Sequence, residues 1–144
     1  GQPVGMGRIG TLNGSMTVRE FAQYCMRIFN VNGLRWLAAP TDMDKPIHRV
    51  AVLGGAGQDF WQSAVKKGAD AYVTGDVTYH FGHDMVANHL MVVDPGHHIE
   101  AICEPRLAKL FEQWKQENKW DFTIVQNKIN TDPFNFMVNN EGKN

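Results

Sequence analysis

Only two cysteines occur in the chain, Cys25 and Cys103, and their spacing matches no paired ligand or redox motif. A fold stapled by disulfides is therefore set aside, and both thiols, on apolar helical faces, read as core thiols of a reducing compartment. Long apolar runs are also missing. None approaches the roughly 20 residues that span a bilayer, and nothing resembles a signal peptide. The formal net charge is only −1, so no broad basic field invites nucleic acid or an anionic membrane surface. The four tryptophans, Trp36, Trp61, Trp114 and Trp120, are scattered and form no stacking platform for bases. They are assigned to core or interface packing. These absences point to a cytoplasmic protein whose partners are neither nucleic acid nor membrane.

What is present suits one globular domain. The chain has 144 residues, 43% of them apolar and 20% charged, enough for a sizeable core. Residues 1–15 hold five glycines and read as a loop or irregular edge strand. Thr17-x-x-Glu20 is a capping-box pattern, followed by apolar residues at helical spacing over 17–30. Short strands are expected at 34–39, 48–53, 71–74, 90–93 and 121–126. Helices are expected at 58–67, with Asp59 as a possible cap, at 78–89, and after residue 98, where Pro105 should kink or restart the helix. Residues 127–144 read as a tail, frayed over 139–144.

Strand and helix alternate from residue 48 to 126, which predicts an α/β domain with a central mixed, largely parallel sheet flanked by helices. Right-handed crossovers put the carboxyl ends of parallel strands on one rim. Gly54–Gly57, Thr74–Asp76 and Asp94–Glu100 each follow a strand, so all three are expected on that rim, where open α/β sheets bind ligands.

The richest of these segments is Asp94-Pro95-Gly96-His97-His98-Ile99-Glu100. Residues three apart share a helix face, so His97 and Glu100 could grip one ion while His98 points elsewhere. Imidazole plus carboxylate suits zinc, iron or manganese. The competing reading is a solvated helix start, and two ligands do not complete a site that usually takes three from the protein. Further ligand-capable residues are His80, His83, Asp84 and His89, with His80 favoured because it closely follows Thr74-Gly75-Asp76. Asp76 could orient a ligand histidine, act as a general base, or cap the next helix. The Gly54-Gly55-Ala56-Gly57 loop could seat a phosphate on backbone N–H groups, or its glycines could serve a tight turn for steric reasons alone. It lacks the Lys-Ser/Thr ending of a P-loop.

Taken in order, several segments resemble the Nif-three-like family, also named GTP cyclohydrolase I type 2 homologues. Gly5-Met6-Gly7-Arg8-Ile9-Gly10 is similar to its Gly-Arg-Gly segment, and Val50–Gly57 to its strand and glycine loop. Thr74-Gly75-Asp76 with Tyr79-His80 resembles its Thr-Gly-Asp/Glu motif. Asp94–Glu100 resembles its Gly-His…Glu metal motif, and Asp132-Pro133-Phe134 fits its end. Many members space that histidine and glutamate four apart; here the gap is three.

The resemblance implies a homohexamer of α/β subunits carrying a dinuclear site for divalent metal, zinc first and iron or manganese next, two ions per full-length subunit. It implies His97 and Glu100 as metal ligands and Asp76 and His80 as catalytic residues in the same cleft. The implied activity is metal-dependent hydrolysis of a small molecule, a nucleotide being the candidate. The family's adjacent histidine pair and aspartate have no counterpart before Met16. The chain is accordingly expected to be the C-terminal half of the family protein and inactive by itself. The alternative is a non-enzymatic, metal-stabilised assembly or regulatory binding module.

Overall fold

A computed structural model describes residues 5–137 of the chain. The frayed end expected over 139–144 lies outside the described residues. Two compact units divide between Ile99 and Glu100: Gly1–Ile99 and Glu100–Asn144.

The first unit is built on a five-stranded mixed sheet. Its strands are β1 (Arg8–Met16), β2 (Arg35–Leu37), β3 (Ile47–Val52), β4 (Ala71–Val73) and β5 (Met91–Asp94), in the order β1-β3-β4-β5-β2. The centre, β3-β4-β5, is parallel, and both edge strands run antiparallel to it. The glycine-rich start thus becomes the edge strand β1, with an irregularity between Thr11 and Met16 where its register against β3 shifts. Bulges and short strands are common ways of managing a sheet edge.

Side chains alternate across the sheet with period two, and two cores result. Ala71, Val73, Met91 and Val93 point to one face, where α1 (Val18–Phe29) covers them with Val18, Phe21, Ala22 and Cys25. Tyr72 and Val92 point to the other, against Trp61 and Ala64 of α2 (Trp61–Lys66) and Met85 of α3 (Tyr79–Ala87). All four residues of β5 are buried because both of its faces are covered. The expected capping box is formed: Glu20 N–H donates to Thr17 Oγ1 at 3.3 Å, and Thr17 N–H donates to Glu20 Oε2 at 2.8 Å. Asp59 is not a cap. It lies inside a 3-10 turn, Gln58–Phe60, that leads into α2 without a side-chain cap.

A 3-10 turn, His97–Ile102, runs across the division, and the second unit continues with α4 (Cys103–Asn118). Pro105 sits in the first turn of α4, where its missing N–H costs no helical hydrogen bond. Cys103 is exposed, so of the two cysteines only Cys25 is a core thiol. The strand expected over 121–126 is absent: residues 120–137 carry no regular secondary structure. β-branched and aromatic residues favour a strand only when a neighbouring strand supplies hydrogen bonds and packing, and Val125 is 84% exposed. Beyond it, side chains bond the backbone locally, with Ile129, Asp132 and Phe134 N–H donating to Asn127, Asn130 and Asp132 at 3.0 Å each. Such turns compete with a ladder.

Candidate functional site

The three segments after β3, β4 and β5 meet at the carboxyl rim of the parallel strands. Thr74, fully buried, receives a hydrogen bond on Oγ1 from Gly57 N–H at 2.9 Å and donates to Gly55 O at 3.2 Å. Gly75 N–H donates to Gly55 O at 2.8 Å, and the Tyr72 hydroxyl donates to Gly57 O at 2.7 Å. Burial raises the Tyr72 phenol above its ordinary value, against a lowering hydrogen bond with Thr74.

Two glycines are required by this interlock. A Cβ on Gly57 would lie 2.6 Å from Thr74 Oγ1, and one on Gly75 would lie 3.0 Å from the Gly96 carbonyl and His97 N. The N–H of Gly57 already serves Thr74 Oγ1 and, at 3.0 Å, Gly55 O. These contacts support the steric reading of the glycine loop over a phosphate cradle.

At the exposed end of this interlock, Asp76 Oδ2 lies 2.7 Å from His97 Nδ1. Both side chains are about half exposed, at 48% and 51%. A carboxylate only accepts, so the imidazole donates through Nδ1–H, which fixes the tautomer with the lone pair on Nε2. Asp76 adopts φ 57°, a left-handed conformation that few residues other than Gly, Asn and Asp tolerate. Strained backbone of this kind collects at functional sites. Of the roles open to Asp76, orienting a histidine matches its contact. It does not cap α3, whose N-cap is Thr78, with N–H and hydroxyl both donating to Gln58 Oε1 at 2.9 and 3.0 Å.

Asp94 was not singled out from sequence, yet it holds this corner together. Its carboxylate is buried and accepts from Asp76 N–H at 3.2 Å, Gly96 N–H at 3.0 Å and Val77 N–H at 3.0 Å, and it pairs with Arg35 of the edge strand. The available signal was a strand-terminal aspartate just before Pro-Gly.

The remaining predicted residues separate. His80, exposed on the first turn of α3, meets the Tyr79 ring edge-on at 5.5 Å. His83 also packs edge-on against Tyr79, at 4.6 Å, and lines a cavity of about 430 Å³ with Thr78, Gly82 and Asp94. His89 belongs to the opposite rim, 2.8 Å from Asp42 Oδ2. His98 is partly buried, and Glu100, exposed, opens the second unit. Among the described residues no three His, Cys, Asp or Glu side chains converge as a metal-ligand group. No helix among them is long and apolar enough to cross a membrane.

The family model described as "Duf34/NIF3 (NGG1p interacting factor 3)" matches residues 2–133. The chain belongs to the DUF34/NIF3 family. Relatives of this DUF34/NIF3 chain include the "GTP cyclohydrolase 1 type 2 homolog" of Streptococcus pneumoniae serotype 4, 41% identical over 92% of this chain and 50% of the relative. The Bacillus subtilis protein of the same name is 39% identical over 92% of this chain and 35% of its own length. Among solved structures, a Bacillus cereus protein related to NIF3 superposes with a TM-score of 0.86 at 37% identity, covering 92% of this chain and 36% of that one. A Staphylococcus aureus protein gives 0.84 at 28% identity, covering 91% and 37%. The chain therefore spans half or less of the length of these relatives.

Proposed function

We propose that this DUF34/NIF3 chain supplies part of a divalent-metal site for a hydrolytic reaction, with His97 and Glu100 as ligands. The observation that carries the reading is the 2.7 Å contact between Asp76 Oδ2 and His97 Nδ1. Metal-binding histidines commonly give their second ring nitrogen to a carboxylate, which fixes the tautomer and raises the basicity of the ligating nitrogen. His97 and Glu100 also stand three apart in sequence, in the segment that resembles the family's Gly-His…Glu metal motif. Imidazole with carboxylate suits zinc, then iron or manganese.

When bound, divalent ions of this type provide Lewis acidity and activate water near neutral pH. The chain's own residues have simpler parts. Asp76 holds the His97 proton on Nδ1 and keeps the ring oriented. His80, exposed on α3, is the candidate for proton transfer to or from a substrate. The chain spans half or less of the length of its curated relatives, and on this reading it binds metal weakly alone, as part of a dinuclear site. The name carried by the curated relatives favours hydrolytic opening of a purine nucleotide as the activity; the setting proposed for it is a cytoplasmic homohexamer.

A second reading is a metal-stabilised assembly or regulatory binding module. It is favoured by the apolar residues that the second unit leaves exposed, including Leu107, Phe111 and Trp114 at helical spacing on α4. Turnover separates the two. A protein of the relatives' full length, loaded with zinc or manganese, is expected to hydrolyse GTP or a simple phosphoester and to lose that activity in Glu100→Gln. An intact oligomer without turnover of any of these substrates overturns the enzymatic reading.

A further inference from the structure

We infer that Asp94 is a positioning residue that fixes the distance between the two loops carrying Asp76 and His97, without touching a ligand itself. The inference rests on the metal reading only for what the positioned histidine does; the positioning is a property of the metal-free chain.

A single oxygen, Oδ1, accepts from Asp76 N–H at 3.2 Å and from Gly96 N–H at 3.0 Å. These peptides belong to the loops after β4 and β5, and Gly96 immediately precedes His97. The other oxygen, Oδ2, accepts from Val77 N–H at 3.0 Å and from the Arg35 guanidinium. Four donors thus face a carboxylate that is only 5% exposed, and they match the four lone-pair directions a carboxylate offers. An isolated carboxylate in such a place would be costly, and the surrounding donors offset that cost.

The arrangement requires a group that accepts on all sides. An asparagine keeps the shape but turns an NH₂ toward one pair of donors, so in either orientation the loop after β4 loses one of its two bonds, from Asp76 N–H or from Val77 N–H. The consequence falls on geometry rather than on chemistry. The Asp76–His97 contact depends on two loops with their own strands, and Asp94 is the atom-level bridge between them. The two loops also pack closely through their backbones, since a Cβ on Gly75 would lie 3.0 Å from the Gly96 carbonyl and His97 N.

The test reads the nitrogen signals of the His97 imidazole in the metal-free 144-residue chain, at a pH where imidazoles are neutral. The wild type is expected to hold His97 in the Nδ1–H form. Asp94→Asn is expected to lower the fraction of His97 in the Nδ1–H form. Val18→Ala, a cavity in the core beneath α1 on the opposite face of the sheet, is expected to lower stability without moving His97. Asp94→Asn indistinguishable from wild type at His97, or Val18→Ala with an equal shift, overturns the inference. Should Asp94→Asn not fold, amide exchange in the wild type decides: slow exchange at Asp76, Val77 and Gly96 supports the bridge, and exchange as fast as in 127–137 overturns it. No metal is added, so a failure of zinc binding and a failure of this inference are read separately.

Discussion

Asp76 Oδ2 sits 2.7 Å from His97 Nδ1, across two loops whose residues stand 21 positions apart in sequence. That contact makes the histidine's tautomer a property of the fold. Asp76→Asn should be tolerated structurally, because asparagine accepts φ 57° as well as aspartate does. It removes the carboxylate acceptor, and zinc affinity should fall roughly 10–100-fold with the melting temperature little changed. Calorimetric titration with a parallel thermal melt checks both halves of the expectation.

Gly57 is held by space rather than by backbone angle. Its φ of −91° suits any residue, yet a Cβ would stand 2.6 Å from Thr74 Oγ1 and 2.8 Å from Leu53. Gly57→Ala is expected to destabilise the fold by about 1–3 kcal/mol, as overpacking does in other cores. Denaturant unfolding measures it; an unchanged midpoint would show that the loop relaxes freely.

Asp42 should shape the acid limb of the stability curve. The Lys45 ammonium beside it, 2.7 Å away, holds its carboxyl below the ordinary value of 3.8 despite the opposing effect of burial, with His89 and Thr41 adding to the lowering. The folded state therefore favours the ionised form. Its contribution is in place above the unfolded value and is lost as pH falls through the folded one. Asp42→Asn should lose stability near neutral pH and show a flatter decline below about pH 4, read from melts across that range.

The two thiols should differ sharply in reactivity. Burial pushes the Cys25 thiol up to about 12 and leaves it 1% exposed, whereas Cys103 is exposed at the start of α4. Thiolate is the reactive form. One equivalent of thiol should titrate in the native protein and the second only on unfolding. Both reacting at once under native conditions would contradict the placement of Cys25.

Much of this fold was legible because its signals are local. Thr17 and Glu20 declare the start of α1, and β-branched runs before turns mark β3, β4 and β5. The rim also followed from topology, since parallel strands must deliver their following loops to the same edge. The misses came where a residue's state depends on distant partners. The segment Asp121–Gln126 reads as a strand by composition, but a strand exists only with a neighbour to bond. Cys103 has helical periodicity around it, yet periodicity does not say whether a face is covered. Asp94 read only as the first residue after a strand, and the convergence of Asp76, Val77, Gly96 and Arg35 on it is what reveals a buried bridge. The pairing of Asp76 with His97 was one of several roles open in sequence, because spacing cannot show which side chains from two loops will meet.

Zinc titration of this chain by calorimetry, with His97→Ala beside the wild type, tests the central claim most directly. The account predicts weak, saturable binding that His97→Ala abolishes and Glu100→Gln reduces, with both variants folded. Tight binding that His97→Ala leaves unchanged would contradict it.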